Sequence, residues 1–194
     1  MRNWLFHPLL FYPLAILIAA LVIVLSLQPQ AWPREPAPVA GTQDGATLVL
    51  EGAAFDAPAA APEQTMTVTR DFFGQARTLR IAVLPDRSTP APEEQGVRIL
   101  LSAPDAARLS SGRVQVDVSY VPLPVNAADG LAVSLQGGGA AQWVSQPAPA
   151  QPGTLRFELP GQAGANAIGL RAISDGEQQA FGLEITRIRV TPLA

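Results

Sequence analysis

Carboxylates are the side chains in this sequence that could run acid–base chemistry on a substrate. The single His is His7, Cys is absent, and all 13 cationic side chains are Arg. Imidazole bases beyond the N-terminus, thiolate nucleophiles, thiolate metal sites and lysine Schiff bases are therefore excluded. Two carboxylates facing each other across a cleft would suffice for glycoside hydrolysis, but the 16 acids here are scattered. Glu93-Glu94 lies in the loop-like stretch STPAPEEQG, Asp71 follows Arg70 at a strand end, and Asp129 and Asp175 each precede Gly, as turn residues do. No calcium-loop spacing, G-x-S-x-G elbow, phosphate loop or dinucleotide fingerprint occurs. Gly137-Gly138-Gly139 has no helix-forming run behind it and reads as a flexible hairpin tip. The expectation is a non-enzyme without cofactor or metal, and a carboxylate-dependent glycoside hydrolase is a minor alternative.

Charge removes another class. The formal net charge is −3, and because Arg2 alone precedes residue 28, the rest of the chain sets 12 Arg against 16 acids. No basic stripe for nucleic acid is present. Arg113, Arg156, Arg171, Arg187 and Arg189 fall out of phase with apolar neighbours, which predicts a solvated face whose long stems cover apolar surface. Phe72-Phe73 carries a different signal. Adjacent residues in a strand point to opposite faces, so one of the two rings is expected outside the core, as a partner surface.

The elements that must position these residues begin with a membrane segment. Pro8 to Leu27 reads PLLFYPLAILIAALVIVLSL, uncharged throughout, and about 20 apolar residues cross a hydrocarbon core. Pro8 suits the first helical position, whereas Pro13 lies in the opening turns or kinks the helix. Ala15-x-x-x-Ala19 would permit close helix approach. Trp4, Phe6, Phe11 and Tyr12 crowd the entry side and Trp32 follows the exit, as aromatic belts do. The possible cleavage positions Ala31 and Ala40 have Pro29 and Pro38 two residues before them, so an uncleaved anchor is favoured over a signal peptide. With Arg2 before the helix and Arg34 offset at once by Glu35, the positive-inside rule keeps the N-terminus cytoplasmic. Residues 1–7 form a short cytoplasmic tail, 8–27 the transmembrane anchor, 28–44 a Pro-rich spacer and 45–194 an exported domain.

Within that domain the apolar period is two. Val114, Val116, Val118 and Tyr120 alternate with Arg113, Gln115, Asp117 and Ser119, as a half-buried strand requires. Comparable runs hold Met66 and Val68; Leu79, Ile81 and Val83; Val97, Ile99 and Leu101; Leu131, Val133 and Leu135; Leu155, Phe157 and Leu159; and Ile168, Leu170 and Ala172. In the last run Phe181, Leu183 and Ile185 are odd but Ile188 and Val190 even, which predicts a bulge near Thr186 and Arg187. Asp175-Gly176 suits a tight hairpin turn. No amphipathic helix is expected after the spacer. The reading is all-β, an antiparallel sandwich of about eight to ten strands behind one transmembrane helix.

From residue 112 to 192 the segments GRVQVDVSYVPLP, LAVSLQGGG…QWVSQPAPAQPGTLRFELP, NAIGLRAIS and FGLEITRIRVTP resemble the jelly-roll sandwiches of the carbohydrate-binding-module and galactose-binding-like families. The resemblance implies a sugar ligand, an aromatic ring stacked on it and polar side chains orienting its hydroxyls. It directs attention to Trp143, beside the glycine hairpin, with Tyr120 and Arg156; Tyr120 also shares the parity of core residues. Modules of this kind often hold a structural calcium, which the sequence leaves undecided. The expected function is a non-catalytic periplasmic binding module on the bacterial inner membrane, single-pass, recognising an envelope carbohydrate. The alternative is a structural or assembly subunit of an inner-membrane complex with an integral membrane protein partner.

Overall fold

The computed structural model describes residues 8–27, 34–83, 94–109, 112–137, 139–174 and 181–193. Trp4, Phe6, His7, Ala31, Trp32, Glu93, Gly138 and the Asp175-Gly176 turn lie outside them. The chain divides into two units, Met1–Trp32 and Pro33–Ala194.

In the first unit, helix α1 spans Pro8–Leu27 and holds Pro13 inside it. Its side chains are described from Phe11 to Val24, and all of these but Ala15 are exposed. Phe11 and Tyr12 meet edge-to-face with centroids 5.8 Å apart. An all-round apolar helix has no polar face to turn toward water. Among the described residues no helix is both long and apolar enough to cross a membrane; the described side chains make up 14 residues, about 21 Å at 1.5 Å per residue.

The second unit is a sandwich of two antiparallel sheets. Its strands are β1 Thr42–Asp44, β2 Thr47–Glu51, β3 Gln64–Arg70, β4 Ala76–Val83, β5 Val97–Leu100, β6 Arg113–Pro122, β7 Gly130–Gln136, β8 Val144–Pro147, β9 Gly153–Pro160, β10 Ala167–Ile173 and β11 Phe181–Leu193. The larger sheet runs β1-β2-β11-β4-β3, with β6 and β9 on the other side of β11; the smaller runs β5-β10-β7-β8. Every run read with period two is a strand, and the short β1, β2 and β8 add to them.

The alternation in β6 works as expected. Val114, Val116, Val118 and Tyr120 are buried with Phe157 and Leu159 of β9 in one cluster that includes Leu131, Val133 and Leu135 of β7 and Ile168, Leu170 and Ala172 of β10. The predicted bulge falls between Ile185 and Arg187. It divides β11: Phe181–Ile185 pairs with β4, whereas Arg187–Val190 pairs with β2. One strand thereby serves two partners on the same side, because the extra residue bends it and resets its phase.

Two expectations are corrected. A short helix, α2, spans Ala103–Leu109. Ser102 donates through Oγ to Asp105 at 2.8 Å while its carbonyl accepts the Ala106 N–H at 2.9 Å; Ser102-x-Pro104-Asp105 is a start signal that the strand rhythm obscured. Nor is the second half of the Pro-rich stretch a free spacer. Val39 bridges Leu101, the Ala37 N–H bonds Ala57 O at 3.2 Å, and β1 pairs with β2. Prolines interrupt a ladder but leave the N–H groups between them free to pair, so Ala37, Val39 and Thr42 join the edge.

Asp105, 4% exposed, fastens that edge. Its carboxylate accepts from Gly41 N at 3.1 Å, Gln43 Nε2 at 2.9 Å and Ser102 Oγ. Asp105→Ala leaves these donors without their acceptor and is expected to cost about 2–4 kcal/mol, read as a lower urea midpoint at unchanged slope. Farther along, Asp56 binds both Arg34 and Arg70. Partial burial pushes its pKa up, but hydrogen bonds and charge from Arg70 and then Arg34 outweigh this and hold it below the ordinary 3.8. A depressed carboxylate stabilises the fold above its unfolded pKa and loses that contribution as pH falls through the folded one. Exchange of the Ala37 amide, relative to a core amide such as Val116, should therefore accelerate below pH 3.8 and, at neutral pH, in Asp56→Ala.

Candidate functional site

β7 and β10 are buried on both faces, apart from the half-buried Ile173. The core face is aliphatic, while the other carries Ala132, Ser134 and Gln136 on β7 with Gly169 and Arg171 on β10. Small residues there let polar side chains lie flat across the sheet. A Cβ on Gly169 would stand 2.2 Å from Gln136 Nε2 and 2.6 Å from Ser134 Oγ, so a side chain there would displace the Gln136 amide from its present position.

Arg171 has no exposed side-chain surface, and its Nε lies 2.6 Å from Glu94 Oε2. A buried guanidinium requires such an answer, since unpaired charge in a protein interior is costly. The pair fixes residues 94–96 over the sheet, and three further bonds hold them. Trp143 Nε1 donates to Glu94 O at 3.2 Å, Gln136 Nε2 to Gln95 O at 2.5 Å, and the Gly96 N–H to Glu63 Oε1 at 2.7 Å. Glu63 is itself 5% exposed. Gly96 has φ +62°, and a Cβ there would stand 2.6 Å from both Trp143 Cη2 and Leu170 O. The half-buried Trp143 ring thus rests against a residue that can have no side chain.

Beside this clamp opens a cleft of about 290 Å³. Glu94, Gln95, Arg98, Gln136 and Asn166 supply its polar groups, and Gly137, Gly139, Ala140, Ala141 and Ala167 its small ones. Arg98 Nε is buried without a hydrogen-bond partner among the described residues. A second depression of about 340 Å³ lies on the other side of Gly139 and Ala140, lined also by Gln142, Gln162, Leu159 and Pro160. The β7–β8 connection forms a ridge between two recesses rich in amides. Among the described residues no group of three His, Asp or Glu is placed to hold a metal ion.

The residues singled out from sequence do not converge. Trp143 does not itself line the cleft; its indole N–H holds the backbone of Glu94, which does. Tyr120 is 2% exposed, its hydroxyl donates to Pro149 O at 2.9 Å, and burial raises its pKa; it belongs to the core. Arg156 is on the outer face of the other sheet, opposite Asp117 in register, with its Nε 3.0 Å from that carboxylate. Phe72 and Phe73 are both exposed, in the turn between β3 and β4 and not in a strand. Arg187 and Arg189 pair at the surface with Glu51 and Asp44, as a solvated face predicts. Arg171 departs from it entirely. Its register partner Ala132, with Ser134 and Gly169 beside it, carried the missed signal: small residues on the outward positions of two adjacent strands mark a covered face, not a wet one.

No family model and no curated protein matches the chain. Among solved structures, it is similar to BiXyn10A CBM1 in its apo form, at TM-score 0.45 and 12% identity over 76% of this chain and 96% of that one. It is similar to the N-terminal CBM22 tandem domain of Xyn10C from Paenibacillus barcinonensis, at TM-score 0.44 and 16% identity over 81% of this chain and 48% of that one. A family 35 carbohydrate binding module from Clostridium thermocellum gives TM-score 0.38 and 16% identity over 74% and 97%. Each of these solved structures is a carbohydrate-binding module, and each likeness is loose.

Arg171→Met, which strands Glu94, is expected to lower stability by about 3–5 kcal/mol, whereas Arg171→Met with Glu94→Gln should recover most of the loss, as measured by denaturant titration of the double-mutant cycle.

Proposed function

We propose that the chain is a membrane-anchored, non-catalytic binding module that takes a neutral carbohydrate in the cleft beside Trp143. The observation that carries this reading is the chemistry of the cleft wall. Gln95, Asn166 and Arg98 line it with glycines and alanines, beside Gln136, whose Nε2 is already engaged by Gln95 O and Ser134 Oγ. Amides both donate and accept, as sugar hydroxyls do, and a guanidinium adds a planar fork of donors. The small residues leave room for a ring, and Trp143, hydrogen-bonded to the backbone of the cleft-lining Glu94, is the aromatic face proposed to flank it. Among the described residues Glu94 is the single carboxylate lining the cleft, and it is committed to Arg171, which supports binding over hydrolysis, since hydrolysis needs two.

Anchoring is the second part of the proposal. α1, Pro8–Leu27, is about 30 Å long at 1.5 Å per residue, which suits the thickness of a hydrocarbon core. With Arg2 before it and Arg34-Glu35 after it, the N-terminus stays in the cytoplasm and the sandwich is exported, in the periplasm at a bacterial inner membrane. The competing role, an assembly subunit of a membrane complex, rests on exposed Phe72 and Phe73 and predicts stable co-purification of an integral membrane protein.

Full-length protein in nanodiscs, screened against neutral and acidic envelope polysaccharides, is expected to bind a neutral glycan. Trp143→Ala should weaken that binding about ten- to a hundredfold, and Arg98→Ala about tenfold. Tyr120→Phe should leave affinity unchanged. Absence of binding by the wild-type protein to every neutral glycan would refute the carbohydrate reading.

A further inference from the structure

The rings of Phe72 and Phe73 are 87% and 82% exposed and meet edge-to-face with centroids 5.5 Å apart. Among the described residues of the second unit the other exposed large hydrophobics are Val121 and Val125, so the pair is a small knob, not part of a broad apolar patch. The turn that carries it is firmly built. Asp71 Oδ1 accepts the N–H groups of Phe73 at 3.0 Å and Gln75 at 2.9 Å, Oδ2 takes Arg77 Nη2 at 2.9 Å, and the Gly74 N–H closes onto Asp71 O at 2.9 Å. The Asp71 carboxyl is held below its ordinary pKa, first by the Gln75 N–H; desolvation opposes this, and Arg77 and Phe73 add to the lowering. The rings are presented by an ordered turn, so little ordering remains to be done when they dock.

The base of this turn meets the start of the sandwich unit. Arg34 binds Asp56, Asp56 binds Arg70, and Arg70 Nη1 donates to Gly74 O at 3.2 Å. Arg34 is seven peptide steps after Leu27, the last residue of α1, a reach of at most about 25 Å for any chain. At the base the Arg70 side chain is buried, while Arg34 and Arg77 keep exposed side chains although paired with Asp56 and Asp71; exposed guanidiniums suit anionic lipid headgroups.

We propose that the Phe72-Phe73 tip seats in the surface of the bilayer that α1 anchors in, fixing which side of the sandwich faces the lipid. This rests on the anchored reading. Two Phe side chains offer about 300–500 Å², below the roughly 1,200–2,000 Å² of a stable protein interface. A lipid surface sets no such minimum for a domain already tethered to it, because the tether supplies a high effective concentration.

The chain has no Cys, so Gln75→Cys places one environment-sensitive fluorophore beside the rings in the full-length protein. In vesicles of phosphatidylethanolamine and phosphatidylglycerol, the label should shift to the blue and be quenched by lipids brominated in their acyl chains. Both effects should vanish when Phe72→Ser and Phe73→Ser are added, which alter only exposed turn residues. A water-like, unquenched label on protein that resists carbonate extraction overturns the proposal while the anchored reading stands. A blue-shifted label that brominated lipid cannot quench assigns the tip to a protein surface and also overturns it. Release of the whole protein by carbonate defeats the anchored reading, and the proposal with it.

Discussion

Arg171 lies under residues 94–96 with no side-chain surface in water, and the geometry around the cleft follows from that. A guanidinium in such a place needs a carboxylate, which Glu94 supplies, and Glu94 can supply it only if its backbone crosses the outer face of the smaller sheet. Once there, residues 94–96 present carbonyls and an N–H that would be unsatisfied in an interior. Trp143, Gln136 and Glu63 meet them. The Trp143 ring is thereby oriented as a consequence of charge burial two strands away, and Gly96 and Gly169 are glycines because the side chains laid across them leave no room for a Cβ.

That arrangement explains how β7 and β10 are buried on both faces while their sheet still offers a polar recess. The core face is closed by aliphatic packing and the other by a network of hydrogen bonds, and where the network meets the β7–β8 ridge the amides of Gln95, Gln136 and Asn166 border a cleft. A recess walled by fixed planar polar groups loses little entropy when hydroxyls bind. The outer face of the larger sheet carries surface pairs such as Asp117 with Arg156 and Ser119 with Thr154. The proposed recognition accordingly draws on the smaller sheet and Trp143, and not on the Arg156 that the sequence resemblance brought forward.

The bulge in β11 organises the opposite side. By changing phase between Ile185 and Arg187, the strand holds β4 along its first half and β2 along its second, and the residues between them, Gly52 to Asp56, turn at the junction. Asp56 thus comes to lie between Arg34 and Arg70, tying the entry of the chain to the hairpin that bears Phe72 and Phe73. A local backbone irregularity and two ion pairs connect the attachment of the domain to its most apolar surface point.

Much of this was legible from residue order alone. Period-two runs located β3–β7 and β9–β11 because a half-buried strand imposes that alternation locally, the parity change in β11 located its bulge, and an uncharged run set the bounds of α1. The missing Cys, Lys and downstream His narrowed the chemistry without any coordinates. Tertiary structure alone decided that Arg171 is inside, that Tyr120 and Arg156 are apart from Trp143, and that both phenylalanines of the β3–β4 turn face outward. Each depends on which segment covers which face, and that is set by contacts between residues far apart in sequence, Glu94 with Arg171 or Gln64 with Ala172. Local periodicity says that a strand has two sides; only the packed chain determines whether water, a loop or a ligand occupies the second.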